Sequence, residues 1–201
     1  LFLHQLFERQ QNSRKEIMST KTINQQQVPA GTWTVDPIHS SITFAVTHNG
    51  VTTFRSGFEA YEARLVGGEQ PRLEGTVEVA SIDIDEEMLK GHLLSPEFFD
   101  VQRFPQLRFA SSEISVGEDG SLRVVGELEI HGESRKVEAS GRFASLGADL
   151  AGNERVGLSI ESTVDRRDFG LDWQAQLPSG GEVLDYAVTI SVELELVTEE
   201  A

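Results

Sequence analysis

Tyr186-Ala187-Val188-Thr189-Ile190-Ser191-Val192-Glu193-Leu194-Glu195-Leu196-Val197 places apolar and polar residues in turn. Tyr186, Val188, Ile190, Val192, Leu194 and Leu196 share one side. Ala187, Thr189, Ser191, Glu193, Glu195 and Val197 share the other, which is mostly polar. A period of two is that of a β-strand with one dry and one wet face. The same period runs through Ile42, Phe44 and Val46, and through Leu122, Val124, Gly126, Leu128 and Ile130. It returns in Val137, Ala139, Gly141 and Phe143, and in Val156, Leu158, Ile160, Ser162 and Val164. Turn signals separate these runs: Gly67-Gly68, Gly117-Glu118-Asp119-Gly120 and the stretch from Gly147 to Gly152. Links this short make the strands antiparallel neighbours.

Long strands with one apolar face must close on themselves or on a second sheet, and closure removes exposed edges. About eight strands fit between Trp33 and Val197, enough for a barrel that holds its own side chains or one small ligand. The expected class is all-β, an antiparallel barrel with a short helical insertion around residues 85–100. In the insertion, Asp85 to Leu94 has helical spacing, with Leu89, His92 and Leu93 on one face. Its acidic start suits a helix N-terminus. Ser95-Pro96-Glu97 reads as an N-cap, a first-turn proline and an acidic residue that begin a short turn carrying Phe98 and Phe99. A helical excursion of this kind suits a lid or plug.

The length of 201 residues fits one domain, placed at 30–198, behind a polar extension over 1–29. Arg14-Lys15-Glu16 can be encoded by purines alone, as a ribosome-binding site would be, so Met18 reads as the start and 1–17 as leader. The alternative is a genuine disordered extension. Cysteine is absent, which excludes a disulfide framework, thiolate chemistry and a Cys-based zinc site. The 33 acidic and 17 basic residues give a net charge of −16, which repels nucleic acid and anionic membrane surfaces on average. No apolar run reaches the ~18–20 residues of a membrane span. Leu1-Phe2-Leu3 is interrupted at once by His4 and Gln5, which makes a poor signal peptide, so the expected location is cytoplasmic.

Six runs, in order, resemble the YceI-like family. Trp33 to His48 (WTVDPIHSSITFAVTH) is similar to its W-x-x-D-x-x-H-S-x-I-x-F-x-V-x-H opening. His92 to Asp100 (HLLSPEFFD) resembles H-L-[RK]-S-x-D-F-F-D, and Phe104 to Ser111 carries a P-x-[IL]-x-F-x-S pattern. Leu128-Glu129-Ile130-His131-Gly132 with Val137 resembles the L-x-I-H-G strand. Arg167 to Leu171 is similar to R-x-D-F-G-[LM], and Val183 to Glu195 to the closing strand. The resemblance spans about residues 31–197. It implies a lipocalin-like barrel that binds a polyisoprenoid or other long-chain amphiphilic lipid. Known members can pair, so a homodimer stays open. Leu94 replaces a frequent Arg or Lys, Glu97 replaces Asp, and Asn49 to Phe58 matches loosely. If a cation at position 94 meets a ligand phosphate, this chain lacks it.

His92, His48 and Arg167 are the candidates for a ligand head group. Phe44, Leu89, Leu93, Phe98, Phe99, Phe109 and Ile190 are candidates for tail lining or core, as are other phenylalanines including Phe58, Phe104, Phe143 and Phe169. For Arg166 and Arg167, beside Asp168, the favoured reading is an arginine–carboxylate brace before Phe169-Gly170, and a diphosphate contact is the other. His39 and His131 read as hydrogen-bonding residues that fix strand ends and turns. No histidine pair has zinc spacing, and no metal or cofactor is expected. The chain lacks a G-x-S-x-G elbow, H-E-x-x-H and a glycine-rich phosphate loop. Binding of a long-chain isoprenoid or quinone-like lipid, for transport or storage, is therefore the expected function. A solid barrel that binds a protein in a stress response is the alternative, and a cofactor-free enzyme on a small apolar substrate is a third.

Overall fold

A computed structural model describes residues 27–199. Ten strands form: β1 Thr32–Val35, β2 Ser41–His48, β3 Thr52–Phe58, β4 Tyr61–Val66 and β5 Arg72–Glu78, then β6 Gln106–Val116, β7 Ser121–Ile130, β8 Glu133–Ala148, β9 Glu154–Asp165 and β10 Leu184–Thr198. Among these residues one α-helix, α1, covers Glu87–Leu94. The proposed leader over 1–17, the Met18 start and the extension as far as residue 26 lie outside the described residues. At 27–29 the expected loose lead-in is already packed. Val28 is buried in the core and its carbonyl accepts from the Gly68 N–H. An apolar residue next to the first strand gains more from burial than a polar one.

The closing strand is the seam of the barrel. One edge of β10 pairs with β9 from Ala187 to Val197. Its other edge pairs with β2 as far as Glu193 and with β1 from Leu196. β1 and β2 are thus successive halves of one kinked stave. β3 and β4, which pair with β2 and β1 in turn, form the next. With β5 to β10 this makes a closed antiparallel barrel of eight staves. His131 and Gly132, with φ of 53° and 77°, make the two-residue turn between β7 and β8. That handedness suits the twist of a hairpin.

The kink between β1 and β2 carries the Asp36-x-x-His39-Ser40 pattern. Asp36 N–H donates to Glu195 O at 2.8 Å, and the Ser40 hydroxyl accepts from Glu195 N–H at 2.9 Å. The Asp36 carboxylate receives Arg155 Nη1 at 2.7 Å and faces His39 Nδ1 at 3.0 Å. Arg155 also holds Asp149 and Glu195, each at 2.7 Å. His39 and Arg155 keep the Asp36 carboxyl well below its ordinary value. Arg155 and the Asn153 N–H lower Asp149 to about 2. A guanidinium thus ties the kink to the β8–β9 loop and to β10.

The two ends of the barrel differ. Around the kink, Trp33, Leu65, Leu122, Val124, Phe143, Val156, Leu158, Leu194 and Leu196 form one buried cluster. A second cluster at the far end gathers Phe58, Val79, Ile82, Leu93, Phe98, Phe99, Ile130, Phe169 and Leu171. Gly126 on β7 lets the Phe109 ring lie flat against the wall, since a Cβ there would strike both that ring and Ala110 O.

Gly126→Ala is expected to cost about 1–3 kcal/mol through overpacking, read by denaturant unfolding. Because Asp36 and Asp149 titrate lower in the folded chain, their contribution is full above the unfolded value of about 3.9 and fades as pH falls below it. Arg155→Met should therefore lower the thermal midpoint at neutral pH. Its deficit against the unsubstituted protein should shrink between about pH 5 and pH 2, and melts across that range check this.

Candidate functional site

The inner faces of β2, β3, β9 and β10 continue past the packed cluster into a cavity of about 610 Å³. Phe44, Val46 and His48 of β2, Phe54 and Phe58 of β3, and Val188 and Ile190 of β10 line its wall. The Phe44 ring lies 6.3 Å from that of Phe54 and 5.8 Å from that of Phe58. A smaller pocket of about 120 Å³ lies deeper, among Ile42, Ala63, Leu73, Phe109, Ile160 and Leu194. Leu107 and Ile190 border both. The two apolar spaces therefore adjoin, one toward the open end and one toward the packed cluster.

The helical insertion covers this end. The Glu86 carboxylate accepts from Met88 N–H at 3.1 Å and Leu89 N–H at 2.6 Å, which starts α1. Leu89, His92 and Leu93 then face the cavity together, as their spacing requires. Ser95 closes this helix and, as expected, opens the short turn that carries Phe98 and Phe99, with Phe98 N–H donating to Ser95 O at 3.0 Å. Its hydroxyl donates to His92 O at 2.7 Å and accepts from Glu97 N–H at 3.2 Å. The chain folds back through Phe99 N–H to Leu93 O and Val101 N–H to Leu94 O, seating Phe98 and Phe99 in the cavity roof. The His92 ring meets Trp173 edge-on at 4.8 Å, and its Nε2 is buried without a hydrogen-bond partner among the described residues.

Most of the residues expected at the site meet there. His48, His92, Phe44, Leu89, Leu93, Phe98, Phe99 and Ile190 line the main cavity, as do Phe58 and Phe169. Phe109 lies in the deeper pocket, and Phe143 belongs to the packed end. Phe104 packs on His131 at 4.5 Å. His131 occupies a turn as expected, but its Nε2 has no hydrogen-bond partner among the described residues.

Arg167 is corrected as a head-group candidate, while the favoured reading, an arginine–carboxylate brace, is the one that forms. Arg167 does not line the cavity. Its Nε and Nη2 grip Asp165 at 3.0 and 2.5 Å, and its guanidinium lies 4.0 Å from the Tyr186 ring centre. That grip, with the Arg167 N–H, lowers the Asp165 carboxyl to about 2. The neighbouring Arg166 reaches the cavity instead. It is 2% exposed and donates to the carbonyls of Asp185, Leu171, Trp173 and Leu184. Burial lowers its pKa, while the neighbouring Tyr186 and Asp165 oppose that shift. In R-x-D-F-G the arginine stands two places before the aspartate, which is position 166 here. The spacing therefore held the right assignment. The other lining residues that the sequence reading missed, Phe54, Arg55, Leu171 and Trp173, have no comparable signal. Tyr186 also leaves the expected inner row, because a bulge between Leu184 and Val188 breaks the alternation.

Asp36, His39 and Glu195 bring their ligand-type atoms within 4.8 Å of one another. The Arg155 guanidinium already lies 2.7 Å from both carboxylates, where a metal ion would sit. Among the described residues, no helix is long and apolar enough to cross a membrane.

Comparison with known proteins bears on the whole domain. The sequence pattern of the YceI-like domain matches residues 33–196. A UPF0312 protein of Staphylococcus epidermidis is 26% identical over 165 residues, covering 80% of this chain and 94% of that protein. The crystal structure of Burkholderia cenocepacia BcnA superposes with a TM-score of 0.69 at 20% identity, covering 80% of this chain and 98% of the other. A polyisoprenoid binding domain from Saccharophagus degradans superposes with a TM-score of 0.57 at 12% identity, covering 83% and 98%.

Arg166→Met should strand several buried carbonyls and destabilise the protein by about 3 kcal/mol. Arg167→Gln should barely move the unfolding midpoint. Paired denaturant titrations of the two variants separate the roles.

Proposed function

This chain belongs to the YceI-like family, and from that premise we propose that it binds a long-chain isoprenoid or quinone-like lipid and acts as its carrier or store. The observation that carries this reading is the apolar cavity of about 610 Å³, with a second pocket of about 120 Å³ next to it across Leu107 and Ile190. Cavities of several hundred Å³ that are mostly apolar, with a few polar groups, are what small-molecule sites use. Burial contributes roughly 0.8 kcal/mol per CH₂ group, so about twenty tail carbons supply on the order of 16 kcal/mol, above most estimates of the association cost. The fold shared with a polyisoprenoid binding domain supports the same ligand class.

Binding rather than catalysis fits the lining. Among the described residues the lining holds no serine or cysteine nucleophile, and the carboxylate beside His92, that of Glu97 at 3.8 Å from Nδ1, lies outside it. A barrel packed solid, the basis of the protein-binding alternative, does not fit the hollow end.

Native mass spectrometry of freshly purified protein, followed by organic extraction, tests the proposal. A bound species recovered as a prenyl lipid or quinone is expected. A chain that stays unliganded with added long-chain prenols and quinones counts against it. Leu107→Trp, placed where the two spaces meet, should weaken binding of long prenols at least tenfold and spare short ones.

A further inference from the structure

The mouth of the cavity lies where β3 ends the order of paired strands. Alternate residues of a strand face opposite sides, so a cavity behind an unbroken wall touches every second one. Thr52, Thr53, Phe54 and Arg55 are consecutive, and all four line the cavity. The space therefore reaches around the β3 edge. Beyond β2, this edge has backbone partners only near its end: Asp83 N–H donates to Gly57 O, and Glu59 N–H donates to Ser81 O. Since Gly57 presents its backbone outward, Arg55 and Thr53 do so as well, two and four residues earlier. Neither has a backbone partner on that side among the described residues. Unpaired N–H groups at a sheet edge attract anions.

Charge points the same way. The chain carries 33 acidic residues against 17 basic ones, yet among the described residues no acidic one lines this cavity. Its charged lining residues are Arg55 and Arg166. Arg166 is committed to four backbone carbonyls. Arg167, outside, is committed to Asp165. Arg55 is exposed and has no ion-pair partner among the described residues. His48 pairs with Thr52 across the hairpin, and both line the same mouth.

We propose that the β3 edge from Thr53 to Arg55, together with the Arg55 guanidinium, is a head-group site for an oxyanion carried by the bound lipid, a phosphate or a carboxylate. The inference rests on the lipid-binding reading and narrows it to anionic amphiphiles. The tail enters past the β3 edge and fills the barrel, while the head stays at the rim. Arginine suits this place because its planar fork matches two oxyanion oxygens.

Trp173 lines the cavity, so tryptophan fluorescence reports binding. The experiment titrates geranylgeraniol, geranylgeranyl phosphate and palmitate into the unsubstituted protein and into Arg55→Gln. Arg55 is exposed, and circular dichroism establishes that the variant is folded. The phosphate is expected to bind at least tenfold more tightly than the alcohol at low salt, with an advantage that falls as salt is added. Arg55→Gln should remove most of that advantage and leave the alcohol unchanged. Equal affinity for phosphate and alcohol, or an advantage that survives in Arg55→Gln, overturns the head-group site and leaves the tail reading standing. If none of the three lipids binds, the lipid reading itself falls.

Discussion

The structure depends on one strand being shared three ways. β10 pairs with β9 on one edge and with both β2 and β1 on the other, so it alone closes the ring. Closure demands that β1 and β2 lie along the same edge despite the break between them. The Asp36 to Ser40 kink meets that demand with backbone and hydroxyl bonds to Glu195, and Arg155 clamps it from the start of β9 while holding Asp149 of the β8–β9 loop. An ion pair at the surface contributes little by itself. Here the guanidinium gathers three carboxylates that come from separate parts of the barrel.

From that kink the barrel divides along its axis. Trp33, at 1% exposure, and Phe143 stop the near end with packed side chains. At the far end the β2–β3 hairpin borders the cavity, and α1 with its following turn lines it together with Leu171, Trp173 and Leu184. An empty apolar space lowers stability by leaving wall atoms without contacts. The hollow end holds its shape because its roof is tied by main-chain bonds. Leu93 and Leu94 carbonyls receive the returning chain, and Arg166 draws four carbonyls around its guanidinium. A ligand that fills the space supplies the missing contacts.

Charge is arranged with the same asymmetry. The acidic excess is kept out of the cavity, where the formal charges are arginines. One of these is saturated by the backbone and holds structure. The other stands at an open strand edge and is free to meet a ligand.

The period of two was legible at once, and with it the strands, their inner faces and the need for closure. Leu89, His92 and Leu93 could be read as one helix face, and all three line the cavity. These are local properties, since a residue's side of a strand or helix follows from its distance along the chain. The choice between Arg166 and Arg167 was within reach of motif spacing, but burial decided it. Which phenylalanine plugs the barrel and which faces open space was not legible. Phe143 and Phe44 sit in equally alternating strands, yet one belongs to the packed end and the other to the cavity. The bulge that turns Tyr186 away, the free edge of β3 and the meeting of Arg155 with Asp36 are likewise tertiary. Sequence by itself determined which side of each strand faces inward, because that depends on neighbours one and two residues away. Only the closed structure decided how deep each inward residue lies and what it meets, because depth follows from the register and kinks of eight staves together.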